Sequence, residues 1–262
     1  MMFPREIYSL FFSFAPCEVK SINKECYHLS KKLVIRLKIE ASILLTLSDH
    51  TLQKITRICQ VVGLKNIHLN KLVNLTTLDL YSNNSVTDEG IAYLSKLKSL
   101  CLHANNKITD AGITHLINLT DLDLSFNENI SDDGIAHLKN LTSLDLYNNI
   151  KVTNKGLKSL EKISTLCLSF NRKITDEGIR HLSNLTELDL YNNNKISDSG
   201  IIHLTNLTKL YLSFNYKITD EGIKSLVNLK SLDLSNDNLI TEEGIKHLKN
   251  LKLYKNNRIV II

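Results

Sequence analysis

The sequence lacks several features that mark particular classes of protein. No run of apolar residues reaches the roughly 20 that a membrane-spanning helix needs. There is no G-x-G-x-x-G loop of the kind that binds dinucleotides. Tryptophan is absent, and only 2 prolines occur in 262 residues. We therefore expect a soluble protein that has no membrane partner and needs no cofactor.

The low number of cysteines and the small net charge also argue against certain kinds of site and partner. The 5 cysteines are an odd number, and none forms a C-x-x-C pair. This argues against a disulfide framework and against a metal site, and it favours a reducing compartment. The net charge of +5 is modest, and the lysines are scattered through the sequence without forming one dense block. The sequence therefore disfavours nucleic acid as a partner.

The sequence has instead a motif that repeats every 22 residues. Leucines keep this step at Leu78, Leu100, Leu122, Leu144, Leu166, Leu188, Leu210 and Leu232. Glycines keep it at Gly90, Gly112, Gly134, Gly156, Gly178, Gly200, Gly222 and Gly244. A fixed period of this size predicts a solenoid, because units too small to fold alone share one core when they are stacked. Such a stack offers an elongated, curved binding surface.

A single unit predicts a short strand with two different faces. Alternation with a period of two directs Leu188 and Leu190 inward, and it directs Glu187, Asp189 and Tyr191 outward. The outward residues form the concave face, by which we mean the sheet face opposite the helices.

An amide follows three positions after the last strand leucine and predicts a structural ladder. The residues at this position are Asn83, Asn105, Asn127, Asn149, Asn171, Asn193 and Asn215, with Asp237 in the same register. Their side chains are expected to bond backbone groups that the turn leaves unpaired.

The I-T-D-E-G-I segment that follows predicts a short helix. Thr87 or Ser131 is expected to cap the first amides, and Asp88 and Glu89 suit the positive end of the helix. A glycine at the third helical position predicts a close approach between neighbouring helices.

The combination L-x-x-L-x-L-x-x-N followed by I-T-D-x-G-I-x-x-L resembles the leucine-rich repeat family over residues 64–262. The resemblance implies an α/β fold: a right-handed solenoid with a curved parallel sheet and short helices on the convex side. Leu64, Ile67 and Leu69 are interpreted as a degenerate opening strand. The apolar tail at 259–262 either folds over the last repeat or marks a partner contact.

Residues 1–32 precede the repeats and predict a pair of helices. Pro4 suits a first helical turn, and Ile7, Leu10, Phe11 and Phe14 form one apolar stripe. Together with Glu6 and Ser13 the stripe resembles the F-box, whose modules occur with leucine-rich repeats in substrate receptors of cullin-based ubiquitin ligases. The resemblance implies that the segment binds a Skp-type adaptor through Phe3, Pro4, Ile7, Leu10, Phe11, Phe14 and Val19. The alternative is that these residues only cap the solenoid.

Residues 33–63 are interpreted as a linker and an N-terminal capping helix. Ser48 is expected to begin a helix in which Leu52, Ile55, Ile58 and Val61 face one core.

The outward strand residues are the candidate site for a partner protein. Five aspartates share one strand position and predict a row of carboxylates that a segment rich in Lys or Arg would bind. Tyrosines beside the row are suitable anchors. The predicted contact residues are Asp79, Tyr81, Asp123, Asp145, Tyr147, Asp189, Tyr191, Tyr211 and Asp233. The alternative is that a 44-residue duplication copied these residues without selection for a ligand.

The sequence predicts binding without catalysis. The carboxylate row has no nucleophile or asymmetric pair, and the repeated histidines, such as His115 and His137, are interpreted as copies and not as metal ligands. We expect an intracellular ligase adaptor, a monomer within its complex, in the cytoplasm or nucleus, or in the host cytoplasm if a virus or intracellular microbe encodes it. The alternatives are an exported or surface repeat adhesin, with the apolar segment at 8–15 as its signal, and a scaffold unconnected to a ligase.

Overall fold

Each 22-residue unit forms a three-residue strand, a turn and a four-residue helix. The computed structural model describes residues 41–59, 61–235, 239–255 and 258–261. Within these ranges one sheet of eleven strands follows the order of the chain, and the first ten strands are parallel. The predicted class, a leucine-rich repeat solenoid, is confirmed.

The bounds of the elements repeat with the sequence. The strands are β1 (Arg57–Ile58), β2 (Thr77–Asp79), β3 (Ser99–Cys101), β4 (Asp121–Asp123), β5 (Ser143–Asp145), β6 (Thr165–Cys167), β7 (Glu187–Asp189), β8 (Lys209–Tyr211), β9 (Ser231–Asp233), β10 (Lys252–Lys255) and β11 (Arg258–Ile261). The helices are α1 (Asp49–Leu52), α2 (Asn66–Leu69), α3 (Asp88–Ile91), α4 (Asp110–Ile113), α5 (Asp132–Ile135), α6 (Asn154–Leu157), α7 (Asp176–Ile179), α8 (Asp198–Ile201), α9 (Asp220–Ile223) and α10 (Glu242–Ile245). A 3-10 helix spans Ala41–Thr46. None of the helices in these ranges has the length and apolar character needed to cross a lipid bilayer.

Aligned leucines form the core between the strands and the helices. The register places Leu122 beside Leu144, and Leu144 beside Leu166, so that identical side chains stack from one repeat to the next. One continuous apolar cluster extends from Ala41 to Leu253. Each repeat therefore depends on its neighbours for burial of its apolar side chains, as expected for a solenoid.

Buried asparagines join the turns of neighbouring repeats, as the sequence predicts. Asn149 is inaccessible to solvent, and its amide nitrogen donates to the carbonyl of Asn127, 3.0 Å away. Its side-chain oxygen accepts the backbone amides of Lys151 and Val152 at 3.0 and 2.9 Å. The same pattern recurs at Asn105, Asn127, Asn171 and Asn215. The asparagine ladder thus satisfies polar groups that burial would otherwise leave unpaired.

A second ladder runs along the helical side, and the sequence analysis missed it. The carboxylate of Asp110 accepts both the backbone amide of Ser131, at 2.8 Å, and its hydroxyl, at 2.6 Å. Equivalent pairs join Asp88 to Thr109 and Asp220 to Thr241. The first acidic residue of each helix therefore holds the start of the next helix.

The predicted N-terminal caps are correct only in part. Ser131 accepts the amide of Asp133 at 3.3 Å, but Thr87 makes no capping bond. The hydroxyl of Thr87 instead accepts the side-chain amide of Asn66, 2.8 Å away, from the preceding repeat. The bond between repeats replaces the local cap at this position.

The first turns of the stack differ from the prediction. Ser48 does cap a helix, accepting the amide of Thr51 at 3.4 Å, but α1 ends at Leu52. Ile58, predicted to be helical, lies in β1 because Arg57 and Ile58 pair with β2. The opening strand predicted at Leu64, Ile67 and Leu69 is wrong, since Asn66–Leu69 is helix α2. The sheet therefore begins before residue 64.

The C-terminal apolar tail folds back along the strand of the last repeat, and a partner contact through it stays a prediction. Residues Arg258–Ile261 form β11, which pairs antiparallel with β10. Ile259 and Ile261 remain 58% and 77% exposed. The tail thus extends the sheet as its last strand.

Some predictions fall on residues outside the described ranges. These are the F-box-like helices of residues 1–32, all seven predicted adaptor contacts within them, and Asp237 of the asparagine ladder.

We predict that Gly134→Ala lowers the free energy of unfolding by about 1–3 kcal/mol, the usual cost of overpacking. A methyl group at this position would overlap the Asp110 carboxylate and displace it from Ser131. Urea denaturation of the full chain measures the change.

A double-mutant cycle with Asp110→Ala gives the control. Removal of the carboxylate makes room for the methyl group, so that Gly134→Ala should then cost little. An equal loss of stability with and without Asp110 would contradict the steric explanation.

Candidate functional site

The third residue of each strand forms a single row on the concave face. The register pairs Asp123 with Asp145, Asp145 with Cys167, and Cys167 with Asp189. From β2 to β10 the row is Asp79, Cys101, Asp123, Asp145, Cys167, Asp189, Tyr211, Asp233 and Tyr254. The predicted alignment of the aspartates is therefore correct.

Each aspartate of this row uses its carboxylate to close its own turn. The carboxylate of Asp145 accepts the backbone amide of Tyr147 at 2.8 Å, and that of Asp189 accepts the amide of Tyr191 at 2.9 Å. Asp79, Asp123 and Asp233 make the same bond to the residue two positions further on. These bonds are local turns of the type that Asp and Asn favour.

Two of the five carboxylates are buried. Asp145 is 7% exposed and Asp189 is 5% exposed. Burial, reinforced by the charge of Asp123, raises the pKa of Asp145 to about 7, and burial raises the pKa of Asp189 to about 6. The same cause raises the pKa of the Cys167 thiol between them. The expectation that the row presents five accessible carboxylates is wrong at these two positions, and partner contact through the others stays a prediction.

We predict that Asp145→Asn stabilises the protein at pH 8. The pKa of Asp145 in the folded chain lies above its usual value near 3.9, so ionisation costs stability as the pH rises from about 4 through 7. The shift of about three units sets an upper limit of about 4 kcal/mol on the gain. Asparagine keeps an oxygen that can accept the Tyr147 amide. Urea midpoints measured between pH 4 and 8 give the difference.

Asp133→Asn is the matched control. Its side chain is 80% exposed and pairs with Lys155 at 3.5 Å on the surface. Its stability profile should follow that of the unmodified chain. If Asp145→Asn and Asp133→Asn have the same dependence on pH, burial does not control the titration.

Aromatic rings form a continuous ladder beside the aspartate row. We define the aromatic ladder as Tyr81, His103, Phe126, Tyr147, Phe170, Tyr191 and Phe214. Successive ring centroids lie 4.5 to 5.5 Å apart. Three of the predicted contact residues, Tyr81, Tyr147 and Tyr191, belong to it. Tyr211 does not, and its hydroxyl donates to the carboxylate of Glu187 at 3.3 Å.

Backbone strain supports the assignment of the phenylalanines to this ladder. Phe126, Phe170 and Phe214 have φ angles of 54°, 57° and 58°, which bulky residues seldom adopt. Phe126 and Phe170 each lie between rings of the two neighbouring repeats, and Phe214 ends the ladder against Tyr191. Phe170 lies 5.3 Å from both Tyr147 and Tyr191. Contacts of this kind contribute about 0.5–1.5 kcal/mol each and offset the strain.

A row of lysines follows the same edge of the sheet, and the sequence analysis missed it. We define the lysine row as Lys107, Lys151, Lys173, Lys195 and Lys217. All five are exposed. The backbone amide of each donates to an asparagine of the buried ladder at 2.9 or 3.0 Å. Lysines that look scattered in the sequence are therefore aligned in space, because the 22-residue step places them at one position of successive turns.

A histidine of the convex side makes a contact between repeats. His181 bonds the carbonyl of Leu157 at 3.2 Å, which is a contact between repeats. Within the described ranges no three His, Cys, Asp or Glu side chains are placed to hold a metal ion. The surface that offers exposed groups for recognition is the edge carrying the aromatic ladder and the lysine row.

Comparison with known families identifies the repeats. Residues 73–117 and 205–245 match a family described as leucine-rich repeats in two copies, and residues 115–136 and 181–202 match one described as a leucine-rich repeat. These matches all lie between residues 73 and 245. No curated protein matches the chain in sequence.

Solved structures show the same fold. An internalin C2 from Listeria monocytogenes is 29% identical, with a TM-score of 0.59 over 79% of this chain and 92% of its own. An internalin from the same species is 23% identical, with a TM-score of 0.56 over 82% and 72%. Rad7 from yeast, solved in complex with Elc1, is 19% identical, with a TM-score of 0.52 over 84% and 79%.

Proposed function

We propose that this leucine-rich repeat chain is the substrate receptor of a cullin-based ubiquitin ligase. Residues 1–32 bind a Skp-type adaptor, and the repeats bind the protein to be modified. The observation that supports this proposal is the order of the motifs: an F-box-like segment with Pro4, Ile7 and Leu10 precedes the repeat stack, with residues 33–63 between them.

The repeats suit a receptor that contributes proximity without chemistry. Every described strand pairs with the next strand in the chain, and two ladders of side-chain hydrogen bonds join successive repeats. A target held on such a stack keeps a fixed position, which is the contribution that an adaptor makes to a transfer reaction.

We also propose an intracellular location, in which the asparagines of the Asn-Leu-Thr sequences keep their hydrogen bonds unmodified. The amide nitrogen of Asn118 donates to the carbonyl of Ser95 at 2.9 Å, and the hydroxyl of Thr120 donates to that of Lys98 at 3.1 Å. The asparagines at 74, 140, 184 and 206 bond the preceding repeat in the same way. An N-linked sugar would be attached to the nitrogen that makes this bond. A chain kept in the cytoplasm avoids that modification.

Co-purification with a Skp-type adaptor tests the proposal. We predict that the full chain binds the adaptor stably and that Ile7→Asp with Leu10→Asp abolishes binding, because charges would replace the apolar contact stripe. Capture of the adaptor from a mixture of purified proteins is the measurement.

Lys139→Glu, at an exposed position on the repeats, is the control and should leave capture unchanged. Failure of the unmodified chain to bind the adaptor would remove the ligase proposal, while a target-binding role for the repeats would still stand.

The second candidate is an exported repeat protein, which the 29% identity to an internalin C2 favours. In that case the apolar segment at 8–15 acts as a signal and is removed. Determination of the N-terminal residue of the mature chain distinguishes the candidates. Loss of the first 15 or so residues supports export, and their retention supports the receptor.

A further inference from the structure

We propose that the edge carrying the lysine row and the aromatic ladder binds an extended acidic segment of a partner polypeptide. The inference rests on one part of the proposed function, namely that the repeats bind the target. It reverses the sign of the partner charge that the aspartate row suggests.

Charge along this edge is one-sided. Lys151, Lys173, Lys195 and Lys217 come from four consecutive repeats, whose strands are separated by about 4.8 Å. Arg172 precedes Lys173 and is also exposed. Within the described part of the chain, none of these five cationic side chains forms an ion pair.

Exposed acidic residues also lie near the edge. Glu128 is in the turn one repeat before that of Lys151, so the continuous row of lysines begins at Lys151. Glu177 and Glu221 lie four residues beyond Lys173 and Lys217, in the first turns of α7 and α9. Glu221 pairs with Lys224 at 3.7 Å on the helix. A row of like charges raises the local positive potential and steers an oppositely charged segment to the site.

The backbone of the lysine row is fixed before any partner binds. Asn149, Asn171, Asn193 and Asn215 hold the amides of the four lysines and are at most 1% exposed. The cations therefore keep their spacing in the free protein. Binding therefore costs no ordering of this part of the backbone.

The aromatic ladder favours a carboxylate over a nucleic-acid base. Rings between Phe126 and Tyr191 have a neighbouring ring on both sides, with interplanar angles of 48° to 58°. Stacking of a base requires a free ring face, which these rings do not offer. Ring edges carry positive potential and attract anions. Phe126 is 41% exposed, so part of this ladder reaches solvent.

The two features are close enough to contact one segment. Each phenylalanine of the aromatic ladder lies three residues before the turn position that lysine occupies in the lysine row. Phe170, for example, lies three residues before Lys173. Three residues span at most about 10 Å. The carboxylates of Asp145 and Asp189, which would repel an acidic segment, are buried and bonded to their own turns.

Anisotropy of a labelled poly-glutamate peptide of about 12 residues tests the inference on the full chain. We expect saturable binding that weakens as salt increases. The variant Lys151→Glu, Lys173→Glu, Lys195→Glu should bind at least ~10-fold more weakly, because it reverses three neighbouring charges. Lys173→Ala alone should show a smaller loss in the same direction.

The matched control is Lys139→Glu, Lys158→Glu, Arg180→Glu, which changes the net charge equally at exposed positions outside the edge. It should retain the affinity for poly-glutamate within about twofold. Equal losses in the two triple variants would show an effect of net charge alone and overturn the inference. Tighter binding of poly-lysine or of a thymidine oligonucleotide of the same length would also overturn it.

Adaptor capture by the same variants separates this inference from the proposed function. We expect the lysine variant to lose poly-glutamate and keep the adaptor. If the unmodified chain binds the adaptor but not poly-glutamate, the inference fails and the ligase proposal stands. If it binds poly-glutamate but not the adaptor, the reverse holds.

Discussion

The hydrogen bonds of the buried asparagines are the constraint on which the rest of the structure depends. A turn that enters the core carries backbone groups that water cannot reach, and an unpaired group there costs more than a hydrogen bond is worth. Asn127 bonds four such groups, its equivalents bond three or four each, and together they fix the path of the turns. The leucine layers, the helical aspartate ladder and both surface rows take their spacing from this single arrangement.

The sequence predicted the repeating part of the fold well because its signals are local and redundant. Three signals predict the same geometry: a leucine at the second strand position, an amide in the turn and a glycine at the third helical position. A fold can be predicted from sequence when signals of different kinds agree in this way. The ends were harder to predict. Ile67 and Leu69 alternate as in a strand, yet Asn66–Leu69 forms a helix; Arg57 and Ile58 carry no repeat signature, yet they pair with β2.

The surface was predicted in register but not in exposure. Alternation shows which side chains point away from the core, and it placed all five aspartates in one row. It does not show how far neighbouring repeats cover these side chains from solvent, and Asp145 and Asp189 are buried. For the lysines, the sequence shows exposure but not alignment. In the chain they are separated by 22 or 44 residues, and only the superposition of turns makes them neighbours. Linear charge counts therefore underestimate charge patterns in a solenoid.

The interleaving of Tyr147, Phe170, Tyr191 and Phe214 restricts how the protein can change its length. Excision of one coil would bring two phenylalanines in left-handed conformation into adjacent coils, without a tyrosine wedged between them. Excision of two coils would leave the alternation unbroken. Over this region, deletion or duplication must therefore involve 44 residues to preserve the surface, whereas 22 residues are enough to preserve the core. Genetic change by pairs of coils alters the surface least.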